Sequence, residues 1–348
     1  MRCVAIITGP ETHLDHLGVL SSILGIPLIV SEEKLFRCAQ EFYPNLQAKW
    51  IDLNELSLEY LASKYDVIFE TGKFWAADLR PSLELLFQKK MRFVFCPHGN
   101  SDKGCSLQTH AAQDLSLVYG DHLQDLLTKT GAVKTIRSLV KTGNYRFPYY
   151  LQHQPFFDHL AETKVFHRFK EQKPMILYAP TWGDKENPTS FFSATDALIR
   201  QLSCSFNLVI KLHPFLAEEH PAHVYRMISL YERHPSVVFL EEFPPIYPLL
   251  ARCDLYLGDF SSVGYDFLAF DKPLYFLNSK KFQTSPLDRC GMDASQKLEG
   301  RLNQFLLETL ETNQKEYALE RKKVYTYAFG NEEIRSDQLN NEIFKALN

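Results

Sequence analysis

The stretch DLYLGDFSSVGYDFLAFDKPLYFLN, residues 254–278, decides the fold. An apolar run of strand length ends at Gly258 and Asp259, the serines Ser261 and Ser262 follow, VGYDFLAF has the pattern of a short helix, and PLYFLN is again strand-like. Strand, turn, helix and strand at this spacing predict one unit of a parallel sheet with helices packed on it.

Outward from this stretch the pattern repeats. Apolar runs that end in turn signals recur as CVAIIT, IPLIVS, DVIFE, RFVFCP and LSLVYG, and then as MILYAPT, NLVIKLHP, SVVFL, DLYLGD and PLYFLN. Amphipathic stretches lie between them, such as HLDHLGVLSSILG with Leu17, Leu20 and Leu24 at helical spacing. The two series are separated by TGNYRFPYYLQHQPFFDHL, where Gly, Pro and aromatic residues interrupt the alternation. The expected organisation is α/β: an N-terminal Rossmann-like domain over 1–150, a second over 151–330, and a C-terminal helix over 331–348 that packs back on the first. Residues 295–329 read as long charged helix, and Ser336 as the N-cap of the last one.

Composition removes several classes. A chain of 348 residues, 45% apolar and 23% charged, is that of a folded protein too large for one ordinary core. The formal charge of −4 argues against a nucleic-acid binder, which needs basic excess to neutralise phosphates. Seven cysteines show neither a CxxC pair nor zinc-like spacing with histidine, which fits a reducing cytoplasm. The apolar run at the N-terminus is too short for a signal sequence or a membrane span. No DxD, HExxH or Walker-type loop occurs, so neither metal nor cofactor is expected.

Ligands of open parallel sheets sit beyond the carboxyl ends of the strands, so the residues just after the apolar runs are the candidates. In the opening stretch, Ser261 or Ser262 begins a helix whose amide N–H groups can seat an anion, and Asp259 can hold a serine or a ligand hydroxyl; a plain N-cap accounts for the serines equally. In NLVIKLHP, strand alternation puts Lys211 and His213 on one face, where they can meet an anion, although an isolated K-x-H is more often surface Lys and half-buried His. In RFVFCPHGNSDKG, His98 follows a proline turn, Gly99 permits close backbone approach, and Lys103 comes soon after; His98 is either a general base or an idle loop histidine. Thr181, Trp182 and Asp184 after MILYAP add a hydroxyl, a stacking surface and an acid. His13 and His16, three apart on a predicted helix, lack a carboxylate companion for metal and read as cap and solvated face.

Taken in order, HGNSDKG, YAPTWGD, KLHP, GDFSSVGYDFLAFDKPLYF and FGNEEIRSDQLNNEIF resemble the CDP-glycerol glycerophosphotransferase family, which includes teichoic-acid primases and polymerases. The resemblance covers residues 90–348, most clearly 174–278. It implies two Rossmann-like domains facing across a cleft, the glycosyltransferase-B (GT-B) fold, with CDP-glycerol in the second. It implies transfer of glycerol phosphate to an acceptor hydroxyl, lipid-linked or not, with release of CMP. By this likeness His98 is the base, His213 a second catalytic histidine, and Asp259, Ser261 and Ser262 the donor-phosphate motif; from their own positions after the apolar runs, Lys211 is a further donor-phosphate candidate and Gly99, Lys103, Thr181 and Asp184 are candidate substrate contacts. Two departures stand out: Asn100-Ser101 replaces the family's Thr-Pro after His-Gly, and no Pro-Gly-Pro stretch follows PLYFLN. The competing expectations are a sugar-nucleotide glycosyltransferase or nucleotide-sugar epimerase on the same scaffold, and a non-catalytic nucleotide-binding scaffold protein. Basic clusters such as QKKMRF are either a peripheral contact with the cytoplasmic face of a membrane or a solvated face.

Overall fold

All ten apolar runs form strands, and every strand pair is parallel. The computed structural model describes residues 1–72, 75–102, 109–183, 188–277, 285–331 and 334–348. The chain divides into two units, Met1–Gln152 with Tyr327–Asn348, and His153–Thr326.

In the first unit β1 (Cys3–Ile7), β2 (Leu28–Val30), β3 (Ala48–Trp50), β4 (Val67–Glu70), β5 (Arg92–Phe95), β6 (Leu115–Val118) and β7 (Leu139–Lys141) form a sheet of order β3-β2-β1-β4-β5-β6-β7. Its helices are α1 (Leu17–Leu24), α2 (Glu33–Phe42), α3 (Leu58–Lys64), α4 (Trp75–Phe87), α5 (Asp121–Lys129) and α6 (Arg146–Gln152). β1 and β4 are buried at every residue, as a strand covered by helices on both faces must be.

In the second unit β8 (Met175–Ala179), β9 (Asn207–Lys211), β10 (Val237–Leu240), β11 (Leu255–Gly258), β12 (Leu274–Phe276) and β13 (Met292–Asp293) are ordered β10-β9-β8-β11-β12-β13. They carry α7 (Gln154–Lys164), α8 (Phe191–Leu202), α9 (Pro214–Glu219), α10 (Pro221–Tyr231), α11 (Tyr247–Arg252), α12 (Ser262–Phe267) and α13 (Leu302–Glu316). One apolar cluster, with Tyr178, Leu198, Ile210, Leu257, Tyr275 and Leu306 among its members, joins the sheet to α8 and α13. The chain then runs through α14 (Ala318–Phe329) and returns to the first unit, where α15 (Ser336–Leu347) packs on α1 and β7.

Two expectations are corrected here. The stretch 295–329 is a 3₁₀ turn and two helices, because Gly300 sits at φ 112° and the buried Arg321 guanidinium terminates α13 by donating to the carbonyls of Asn313 (3.0 Å) and Gln314 (2.6 Å). Ser336 is the first residue of α15 rather than its cap; Arg335 holds the cap position without a side-chain bond.

In each sheet the chain reverses its winding once, between β1 and β4 and between β8 and β11. Strand ends diverge at such a point and leave a crevice, which is where a ligand of an open α/β sheet binds.

Candidate active site

In the second unit the crevice is closed at its base by Asp259. This residue follows β11 and is only 2% exposed. Its Oδ2 accepts hydrogen bonds from Thr181 N at 2.9 Å and Ser190 N at 3.1 Å, both on the loop that leaves β8 for α8. Asp259 therefore staples the two strands that part at the switch point. Tyr256 supports it from below, donating its hydroxyl to the Asp259 carbonyl at 2.8 Å. Gly258 is required for this approach, since a Cβ there would lie 2.8 Å from the Tyr256 hydroxyl and 2.9 Å from the Ala179 carbonyl.

Ser261 takes the N-cap position of α12 with extended backbone (φ −151°, ψ 170°), but its side chain caps no helix amide. Its hydroxyl instead meets that of Tyr256 at 3.3 Å. With the Tyr256 proton on the Asp259 carbonyl, the Tyr256 oxygen can accept from Ser261, and the same Ser261 O–H is free to turn to an anion when one is bound. Ser261 and Ser262 are both half-buried, beside the N–H groups that open α12.

Lys211 closes β9 and is 7% exposed. His213 does not extend that strand: it is the N-cap of α9, Pro214 is the first helical residue, and His213 Nδ1 accepts from Phe215 N at 3.3 Å. An Nδ1 that accepts carries no proton, so the neutral ring bears its hydrogen on Nε2. This makes His213 a fixed donor to an anion, and protonating Nδ1 would break the cap. The rings of Trp182 and Phe215 flank it, at 6.1 and 5.4 Å between centroids.

In the first unit His98 lies two residues beyond Cys96, whose amide extends the β4–β5 ladder by bonding the Glu70 carbonyl at 2.8 Å. The His98 side chain is reached by solvent, yet enough protein surrounds it that desolvation lowers its pKa below the usual histidine value. It is thus neutral around pH 7. His98 Nδ1 is 3.5 Å from Thr71 Oγ1 after β4, and the His13 ring after β1 lies against it at 4.8 Å. With Nδ1–H turned to Thr71, Nε2 keeps its lone pair, the state a general base needs. Gly99 adopts φ 137°, a conformation closed to other residue types. Asn100 anchors the loop: Nδ2 donates to the Ala328 carbonyl at 3.0 Å and Oδ1 meets His122 Nδ1 at 3.0 Å, while His122 Nε2 meets Asp102 at 2.8 Å.

His13 and His16 are both buried rather than solvated. His16 Nδ1 is 2.6 Å from the Tyr119 hydroxyl, and burial holds its pKa well below the ordinary range. Among the described residues no group of three metal-ligating side chains occurs. Lys103 and Asp184 lie outside the described residues. The structure thus gathers Thr181, Asp259 and Ser261 into one bonded network, with Lys211 at the end of the neighbouring strand and His213 at the cap of the helix that follows it, and sets His98 and Gly99 at the strand ends of the other unit. Tyr256, Ser190, Phe215 and Thr71 were missed. Ser190 and Thr71 act through partners far away in sequence, whereas Tyr256 lies three residues before Asp259 and Phe215 two after His213.

Residues 154–285 match the model of the family described as CDP-Glycerol:Poly(glycerophosphate) glycerophosphotransferase, which covers most of the second unit. The chain is 29% identical over 116 residues to a teichoic acid glycerol-phosphate primase of Bacillus spizizenii, covering 33% of this chain and 28% of that protein. It is 25% identical over 175 residues to the primase of Bacillus subtilis, covering 49% of this chain and 40% of the relative. The matched stretches therefore span less than half of these relatives. Among solved structures, the wall teichoic acid polymerase TagF superposes with a TM-score of 0.67 at 14% identity, over 99% of this chain and 88% of that one. The fold is of the GT-B type, two Rossmann-like α/β units with a helical C-terminus.

Proposed function

We propose that this chain, which carries the glycerophosphotransferase family's domain over residues 154–285, transfers glycerol phosphate from CDP-glycerol to an acceptor hydroxyl and releases CMP, in the synthesis of a cell-envelope polymer or glycolipid. The observation that carries this reading is that the family match contains the bonded crevice of Thr181, Asp259 and Ser261 together with Lys211 and His213. In this reading the second unit holds the nucleotide and the first the acceptor.

The acceptor oxygen attacks the glycerol-linked phosphorus, its proton passes to His98 Nε2, and the bond from that phosphorus to the CMP oxygen breaks. Charge on the diphosphate is met by Lys211, by His213 Nε2–H, by Ser261 and Ser262 and by the amides that open α12. Asp259 positions this set without touching substrate. Positioning and charge neutralisation then supply most of the rate.

Among the described residues no helix is long and apolar enough to cross a membrane. Contact with a lipid-linked acceptor would be peripheral, on the cytoplasmic face. The end of α4 supports it: Leu85 (81% exposed), Leu86 (66%) and Phe87 (38%) stand beside the exposed Lys90, while the Lys89 ammonium is paired with Asp66. Incubating the protein with labelled CDP-glycerol and detergent-solubilised acceptor should yield CMP and labelled product, with a chelator present or not. Stable CDP-glycerol under both conditions would reject the reading.

A further inference from the structure

Glu70 is the last residue of β4 and shares its face with Ile68, a member of the apolar cluster that includes Ala76, Leu83 and Phe93. Its neighbours across the sheet are Ile6 and Phe95. The side chain is 2% exposed, and that of Gln113, which reaches it after the turn from His110, is 1% exposed. Gln113 Nε2 donates to Glu70 Oε1 at 2.8 Å and to the Thr109 carbonyl at 3.0 Å. A carbonyl only accepts, so the amide cannot be flipped. Two oxygens of this bonded pair, Glu70 Oε2 and Gln113 Oε1, are buried with no well-formed hydrogen bond, although the Trp75 and Ala76 amides at the start of α4 approach the carboxyl. A buried acceptor in an apolar face is costly, and two in one pair are doubly so.

A single proton held between these two oxygens would remove both defects. We propose that Glu70 is a neutral carboxylic acid in the folded protein, and that it and the Gln113 amide close a ring of two hydrogen bonds, amide N–H to acid C=O and acid O–H to amide C=O, which fixes the end of β4 that sets Thr71 against His98. The surroundings agree. Burial raises the Glu70 pKa to about 8, Asp78 on α4 adds to the rise, and the Gln113, Ala76 and Trp75 donors offset only part of it. The nearby His110 is held neutral by burial at about 3, so it offers Glu70 no positive charge near neutral pH. Glu70 and Gln113 are thus positioning residues, acting through Thr71. Their link to catalysis rests on His98 being the base; the proton on Glu70 does not.

Infrared difference spectra of the intact wild type against Glu70→Gln test this directly. The expected result at pH 7 is a carboxylic-acid C=O band that shifts in D2O, disappears as pH rises through about 8 and is absent from the variant. Stability provides the second readout. A carboxyl that titrates at roughly 4.3 when unfolded and at about 8 when folded binds its proton more tightly in the native state, so wild-type stability falls as pH rises between those values. The unfolding constant of Glu70→Gln relative to wild type should therefore drop about tenfold per pH unit in that window. No acid band, with Glu70→Gln destabilised by the same factor at every pH, would mean an ionised Glu70 held by the α4 amides, and would overturn the proposal. The wild-type titration suffices if the variant does not fold. Normal transfer by His98→Ala would remove the catalytic link while leaving the acid band in place, so the two failures are distinguishable.

Discussion

Replacing Asp259 by alanine distinguishes a structural brace from a substrate ligand. The carboxylate takes two amide hydrogen bonds, from Thr181 at 2.9 Å and Ser190 at 3.1 Å, and both donors lie in buried residues. Stranding a buried donor costs about 1–3 kcal/mol, so Asp259→Ala should lower the stability of the second unit by about 2–6 kcal/mol. Asp259→Asn keeps an accepting oxygen but loses the charge on it; the difference between charged and neutral bonds is about 1 kcal/mol each, which predicts a loss of about 2 kcal/mol. Denaturant unfolding followed by far-UV circular dichroism and by tryptophan fluorescence measures this, and Trp182, adjacent to Thr181, reports the loop itself. Destabilisation under about 0.5 kcal/mol in Asp259→Ala, combined with complete loss of donor binding, would refute the reasoning, because surface substitutions have effects of that size and a brace cannot.

The remaining predictions concern the histidines. His213→Asn retains an oxygen that can cap α9 but loses Nε2–H, so stability should stay within about 1 kcal/mol of wild type while the CDP-glycerol dissociation constant rises about tenfold; unchanged affinity by calorimetry would remove His213 from the donor site. The acid limb of transfer should lie below pH ~6.5, since activity needs His98 unprotonated and desolvation lowers its pKa. That limb is measured as kcat/KM against pH, and a limb above 7 would contradict the environment assigned to His98.

How far the sequence carried these conclusions depends on the distance between partners. The strands of both sheets were visible as apolar runs because central parallel strands are buried on both faces and need no alternation. β3, with the exposed sequence AKW, the short β7 and the two-residue β13 carry no such run and were missed. They complete sheet edges whose existence is fixed by neighbours rather than by their own composition. The position of Asp259 after a strand was legible, but its bonds to the β8–α8 loop were not: those partners lie 78 and 69 residues earlier. His16 was misread for the same reason, since a histidine on a helix face reads as solvated until Tyr119, 103 residues away, is folded against it. His213 looked like a strand residue because alternation continues through Leu212, and the proline after it marked a helix start as much as a strand end.

The central claim is that donor binding and proton abstraction belong to different units, and measuring the CDP-glycerol dissociation constant and the single-turnover transfer rate in His98→Ala and Ser261→Ala tests it most directly. The account predicts that His98→Ala leaves the dissociation constant nearly unchanged and slows transfer by about 10² to 10⁴, and that Ser261→Ala weakens binding by roughly 1–3 kcal/mol. Loss of nucleotide binding in His98→Ala, with binding intact in Ser261→Ala, would contradict it.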